Sequence, residues 1–354
     1  MKLQLQVVTR VATLFLLAAL SQDSPAAGTA SLNSTYRVVA RYEIGGTEQG
    51  YDYLTVDSAS RRVFVAHGTR LEVLDADSGK HLGEIQHLTG AHGVVIVASL
   101  HRGFVTSGAD RTLVAFDPTT LAVERTIKYF GVKPDAMEFD PASRHLFVVN
   151  GSSTGDVSVV DPVTGAILGT VDAQGGKLEE IAFDDEGRGF VNDEVKNVIY
   201  VFDTKTFKVL ASWPLAPAEG PTGLAIDREH HRLFAACGNG MLAIVDSKSG
   251  QVLGTAPVGP DPDGAAFERK TGRVFVSNHD GTMSIVGEAE PGKFALLQTV
   301  TTASGARTIA LDEKTGRLYL PTGKFGPAPA PTAAVPEPRA PMIPESFGVI
   351  VVGP

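Results

Sequence analysis

The 354-residue chain repeats one phrase seven times, and that repeat constrains its fold more than any other feature. Each copy reads as a short apolar strand ending near an acid, then a polar turn. A second strand follows, opening with Arg or His and an aromatic, and a third strand closes on an aspartate before a turn of the Thr-Gly type. The closing aspartates show the period: Asp75, Asp117, Asp161, Asp203 and Asp246 stand 42 to 44 residues apart. Repeats of this length, built from short β-branched and aromatic segments, predict four-stranded propeller blades. No stretch of the repeats has a helical period. The expected fold is all-β, a seven-bladed β-propeller of four-stranded blades.

The second strands align most clearly: Arg62-Val63-Phe64-Val65, Arg102-Gly103-Phe104-Val105, His145-Leu146-Phe147-Val148, and so on to Arg317-Leu318-Tyr319-Leu320. The aspartate after each third strand suits an Asx turn, with glycine where φ must be positive. These aspartates, and the Arg before each aromatic, read as scaffold. The seventh copy is split. Its third strand is Phe347 to Val352, and its fourth is expected from Tyr36 to Ile44, so that the N-terminal strand closes the ring and removes both sheet edges.

Residues 1–27 read as a signal peptide, with Lys2 and Arg10 in a basic region, an apolar run from Val11 to Leu20, and small residues to Ala27. Ten apolar residues are too few to span a bilayer core of about 30 Å as a helix, so export to the periplasm or beyond is expected, with no membrane anchor after cleavage. Residues 28–35 form a short linker and 36–354 one propeller domain. Within it, 327–344 is a proline-rich insertion with seven prolines, which cannot be a central strand. It reads either as a surface insertion or as a partial lid over the channel. The net charge of −9 argues against nucleic acid as a partner. A single cysteine, Cys237, excludes an internal disulfide. A monomer is expected.

The second-strand endings Phe-Val-Val-Asn150, Phe-Val-Asn192 and Phe-Val-Ser-Asn278 resemble the Tyr-Val-Thr-Asn motif of the YVTN family of seven-bladed propellers, and among them exported bacterial YncE-like proteins. The resemblance spans about 36 to 352. It implies the propeller fold and leaves the function open. The broader group is similar to amine dehydrogenase propeller subunits, archaeal surface proteins and lactonase-like enzymes, and no complete catalytic motif of the enzymatic branches is present here.

Propeller strands radiate from a central channel, so the starts of the first strands and the ends of the second strands should meet on one face. The first column gives Asp52, His92, Asp135, Glu179, Thr222, Asp263 and Arg307. The second gives His67, Ser107, Asn150, Asp193, Cys237, Asn278 and Thr322. A polar, largely acidic mouth is the expected binding site, and an unspecific, water-filled one is the plain alternative. No catalytic residue stands out: Ser107 lacks a nucleophile elbow. As a cofactor, a divalent or transition metal fits two ligand sets, His67 and His92 with Asp52, or the oxygen donors Glu179, Asp193, Asn150 and Asn278 for calcium. The leading expectation is a binding or scaffold module that recognises a small molecule or partner protein. A metal-dependent lyase, hydrolase or oxidase with Arg307 as anion clamp, and a structural surface protein, are the alternatives.

Overall fold

The structure, a computed structural model, describes residues 35–128, 131–151, 155–332, 338 and 340–354. The expected signal peptide lies outside the described residues, as do 333–337 and 339 of the insertion. Among the described residues the strands form seven four-stranded antiparallel sheets. Among the described residues the only helical piece is the 3-10 turn Ala98–Leu100, and no helix there is long and apolar enough to cross a membrane.

The sheets follow the sequence repeat. Blades one to six are consecutive, beginning at Leu54–Asp57, Ala91–Val97, Pro134–Asp140, Leu178–Phe183, Pro221–Asp227 and Pro262–Glu268. Blade seven is composite: Ala310–Asp312, Arg317–Thr322 and Gly348–Gly353 are completed by Arg37–Glu43, which pairs antiparallel with Gly348–Gly353. The N-terminal strand therefore closes the ring, as the split seventh copy predicts.

The repeated aromatic of the second strand is the core of each blade. Phe64, Phe104, Phe147, Phe190, Phe234, Phe275 and Tyr319 are all fully buried, each stabilising the fold by roughly 1.5–3 kcal/mol relative to an exposed ring. The Arg before the aromatic spaces blades: Arg62 donates to the carbonyls of Pro118 (2.6 Å) and Thr119 (2.8 Å) in the next blade, and Arg102 to Pro162 (3.0 Å) in the one after. The turn glycines have a second role besides their positive φ. At Gly79 (φ +72°) a Cβ would fall 2.1 Å from the Tyr42 ring, and at Gly250 (φ +77°) 2.3 Å from Trp213. In both cases an aromatic from the outer strand of one blade lies on the turn of the next.

Neighbouring blades are also tied near the channel by side chains that reach a backbone carbonyl of the next first strand. Thr106 Oγ1 donates to Asp135 O (3.1 Å), Asn192 Nδ2 to Thr222 O (3.1 Å), Thr222 Oγ1 to Pro262 O (2.7 Å) and Thr308 Oγ1 to Asp52 O (2.8 Å), while Ser277 Oγ bonds Arg307 O. A buried neutral hydrogen bond of this kind contributes about 1 kcal/mol. Thr308→Val is expected to lower unfolding stability by that amount in chemical denaturation, and an unchanged midpoint would show that the tie is idle.

Candidate functional site

Five of the seven mouth positions sit in β-bulges. The register between first and second strands slips between Ala91 and Val94, Pro134 and Met137, Leu178 and Ile181, Pro221 and Leu224, and Pro262 and Gly264. His92, Asp135, Glu179, Thr222 and Asp263 lie within those slips. A bulge bends its strand and re-aims a side chain, so these residues leave the strict alternation of their strands. Asp52 and Arg307 lie two and three residues before the first strands Leu54–Asp57 and Ala310–Asp312.

The structure brings Asp52, His92 and Asp135 together from blades one, two and three. One ligand atom from each lies within 4.8 Å of the others. His92 Nδ1 is 2.5 Å from Asp52 Oδ2 and 3.6 Å from Asp135 Oδ1. Arg307 closes the ring from blade seven, with Nη2 3.6 Å from Asp52 Oδ1 and Nε 3.4 Å from Asp263 Oδ2. Both distances are too long for well-formed hydrogen bonds. Glu179 pairs with Lys177, which also reaches Glu194. The Thr222 hydroxyl is spent on its tie to Pro262 O.

The second-strand ends behave differently. His67 is fully buried, stacks on Phe347 with ring centroids 3.7 Å apart, and faces Glu72 (3.2 Å). Asn150 bonds Asp156 and Ser158, and Asn278 bonds Thr282 (2.9 Å) and Ser284 (3.0 Å). Asp193 accepts from the backbone N–H groups of Gly176 (2.6 Å), Val195 (3.1 Å) and Lys196 (3.0 Å). Asn150, Asn278 and His67 find partners on or just before the third strand of their own blades, Asp193 takes the N–H groups of neighbouring turns, and His67 also stacks on Phe347 of blade seven. His67 therefore does not join His92 and Asp52, and the residue brought beside them is Asp135. The oxygen set of Asn150, Glu179, Asp193 and Asn278 is divided among internal hydrogen bonds in three blades, with Glu179 at the mouth.

No nucleophile emerges among the described residues at the expected positions. Cys237 is fully buried, and burial pushes its thiol up to about 12. Ser107 Oγ accepts from Thr89 N at 2.7 Å instead of meeting a base.

Two acids escaped the sequence reading. Further along the first strands a cavity of about 310 Å³ is lined by all seven blades and holds Tyr53, Glu138 and Glu180. Glu138 pairs with Phe147, and the corresponding residues of the other blades are Thr55, Val95, Ala182, Ala225, Ala266 and Ala310. A lone glutamate in a column of small or apolar residues was the available signal.

Electrostatics at the mouth follow first from burial of the carboxyls and then from the like charges crowded around them. Burial, then the charge of Asp52, raises Asp135 to about 6 against His92, Lys133 and Arg307. Burial raises Glu179 to about 8 despite Lys177. In the channel, enclosure by the surrounding blades lifts Glu138, although solvent still reaches it, to about 7 and raises Glu180 well above the carboxylate range. Burial raises Asp263 although Arg307 opposes it. For His92, burial disfavours the imidazolium, but the hydrogen bond to Asp52 and the charge of Asp135 prevail and raise it. Arg307 is likewise held charged by Asp52 and Asp263 against the effect of burial.

The base of the proline-rich insertion is anchored beside the mouth. Phe325 bridges Met342, Gly326 N donates to Pro341 O (2.9 Å), and Met342 N donates to Gln49 Oε1 (2.8 Å). Tyr51, next to Asp52, packs against Phe325 and Phe347. A groove of about 680 Å³ runs along this base and the closing strand. It is larger than the channel cavity, but it gathers none of the convergent mouth groups.

Residues 141–320, just over half of the chain, match the family described as "Outer membrane protein assembly factor BamB". No curated protein matches in sequence. Among solved structures, the chain is similar to one described as Kuenenia stuttgartiensis hydrazine synthase, with a TM-score of 0.67 and 12% identity over 78% of this chain and 92% of that one. At that identity the likeness shows the fold alone.

Proposed function

The chain belongs to the family described as outer membrane protein assembly factor BamB, and from that premise we propose that it is an exported recognition module whose ligand or partner docks at the mouth of the channel. The observation that carries this reading is Arg307. Its guanidinium is held between Asp52 and Asp263 at 3.4–3.6 Å without a well-formed hydrogen bond to either, in a mouth whose arc of carboxylates continues to Asp135 and Glu179. A guanidinium in that state suits an incoming carboxylate or other anion, while the arc suits an ammonium or hydrogen-bond donor on the same ligand. An amino acid, a peptide terminus or a loop of a partner protein carries both.

The family description names an assembly factor, which accords with recognition in place of turnover. The motif endings at Asn150, Asn192 and Asn278 support a finer placement among YVTN, YncE-like propellers. Pro341 and Met342, at the described base of the insertion, stand beside Gln49 and Phe325, and we assign this base to the surface of ligand contact. A structural surface role is less favoured, because the exposed apolar residues of the outer strands, such as Val123, Leu168, Leu210 and Leu253, are spread around the rim at one or two per blade.

Thermal shift against a panel of amino acids, dicarboxylates and short peptides tests the reading. Wild-type protein is expected to be stabilised by at least one class, and Arg307→Ala to lose that stabilisation. Equal stabilisation of both proteins, or none by any class, would overturn it for small ligands and free termini.

A further inference from the structure

We propose that Asp52, His92 and Asp135 form a binding site for one divalent transition metal ion at the channel mouth. The inference deepens the reading of the mouth as a binding site and names one of its ligands. The donor set is two carboxylates and an imidazole, a combination suited to zinc and its neighbours more than to calcium or magnesium. The three donors come from the first strands of three consecutive blades, so they are about one repeat apart in sequence and meet because those strands converge on the channel.

The orientation of the carboxylates favours a metal over an ordinary ion-pair network. Each aspartate presents one oxygen outward to a cation and one inward. Arg307 stands on Asp52 Oδ1, and Lys133 Nζ is 3.9 Å from Asp135 Oδ2. The other oxygens, Asp52 Oδ2 and Asp135 Oδ1, converge on His92 Nδ1. Outer partners that orient ligating groups are a regular feature of metal centres. The backbone is fixed as well, through Thr308 Oγ1 to Asp52 O, Thr106 Oγ1 to Asp135 O and Gly93 N to Thr106 Oγ1 (2.8 Å).

The spacing fits. Bonds of about 2.0–2.2 Å to a common ion place two donors up to about 4 Å apart. The observed 2.5 Å and 3.6 Å bracket a proton-bridged arrangement that needs only a small separation of His92 and Asp52 to admit an ion in the proton's place. The three side chains retain partial exposure of 12%, 24% and 19%. Solvent-facing coordination positions therefore stay open for water or an external ligand, with Arg307 beside them.

A second group of possible ligands, Glu72, His81 and Glu84, gives a useful contrast. There the Arg70 guanidinium is 2.8 Å from Glu84 and 3.7 Å from Glu72, and it also binds Glu48. A fixed cation already occupies the position that a metal would take. At the mouth the fixed cations stand outside the donor triangle.

The test is calorimetric titration of the chelator-stripped full-length protein with zinc chloride, and with manganese chloride for comparison. One equivalent of zinc is expected to bind. His92→Ala and Asp135→Asn should each weaken that binding on the order of 100-fold, with circular dichroism confirming that the variants remain folded. His81→Ala should leave it unchanged. No zinc binding by the wild type, or loss of binding in His81→Ala with none in His92→Ala, would overturn the proposal. Arg307→Ala separates it from the reading of the mouth on which it rests. If zinc fails to bind but Arg307→Ala still abolishes stabilisation by the ligand panel, the metal site falls and mouth recognition stands. If zinc binds as expected and the panel is indifferent to Arg307, the converse holds.

Discussion

Replacing Tyr42 by alanine is expected to destabilise the propeller by about 4 kcal/mol and to lower its melting temperature by roughly 10 °C. Tyr42 belongs to the closing strand Arg37–Glu43, and its ring is 7% exposed. It lies on the turn of blade one, over Gly79, where a Cβ would meet the ring at 2.1 Å. Its hydroxyl donates to Ala76 O (3.0 Å) and Asp77 O (3.2 Å), and Tyr319 donates to the same Ala76 carbonyl at 2.7 Å. Two tyrosines of blade seven thus clasp one turn of blade one: Tyr319 reaches it from the C-terminal part of the chain, and Tyr42 from the strand whose pairing with Gly348–Gly353 closes the ring. Losing the ring leaves a cavity at that seam in addition to the lost transfer energy. Tyr42→Phe removes only the hydroxyl and is expected to cost about 1 kcal/mol. Scanning calorimetry distinguishes the two, and a Tyr42→Ala protein that melts with the wild type would show that the seam is held elsewhere.

Asp312→Ala should have the second-largest effect, about 3 kcal/mol, because it strips a buried carboxylate from its donors. Asp312 is fully buried at the same seam. It accepts from Ser58 Oγ (2.5 Å) and Arg61 Nη1 (2.6 Å) of blade one, and from Thr315 Oγ1 (2.5 Å) and Lys314 N (3.2 Å) of its own turn. Burial pushes its carboxyl up, but the hydrogen bonds from Ser58, Thr315 and Arg61 together prevail and hold it below the usual carboxylate range. A group whose pKa is depressed on folding adds stability that is complete above its unfolded value, near 3.9, and is lost as pH falls through the folded value. The stability gap between wild type and Asp312→Asn should therefore be constant above about pH 5 and narrow below about pH 4. A gap that does not change with pH would remove the charge of Asp312 from the account of the seam.

The architecture was legible because a propeller writes its fold into local, repeated chemistry. The Arg-Phe pairs, the turn aspartates and the Thr-Gly turns each satisfy a requirement within one blade or at its nearest neighbour, so a period of 42 to 44 residues exposes them. The composite seventh blade was legible for the same reason, since a missing fourth strand must be supplied from somewhere to protect an edge.

The site was only half legible. Aligning the repeats placed Asp52, His92, Asp135, Glu179, Asp263 and Arg307 at one register position, but the same alignment placed His67, Asn150, Asp193 and Asn278 beside them. Register does not say which way a side chain points. Bulges turn the first-strand residues out of their alternation, while the second-strand residues find partners in the adjoining turns and third strands. Glu138 and Glu180 were hidden because each occurs once, and a repeat draws attention to what recurs.

The sequence by itself determined the number of blades, their strand order and the manner of closure, because backbone pairing and core packing act over a few tens of residues. Only the tertiary structure decided which charges meet. Asp135 in place of His67 joins Asp52 and His92, and Arg307 arrives from the far end of the chain. The meeting of Arg307 with Asp52 depends on a ring closed over more than 300 residues, and that of His92 and Asp135 on bulges whose effect is geometric. Coulomb interactions at 2.5 to 3.6 Å depend on displacements of an ångström, which no repeat spacing encodes.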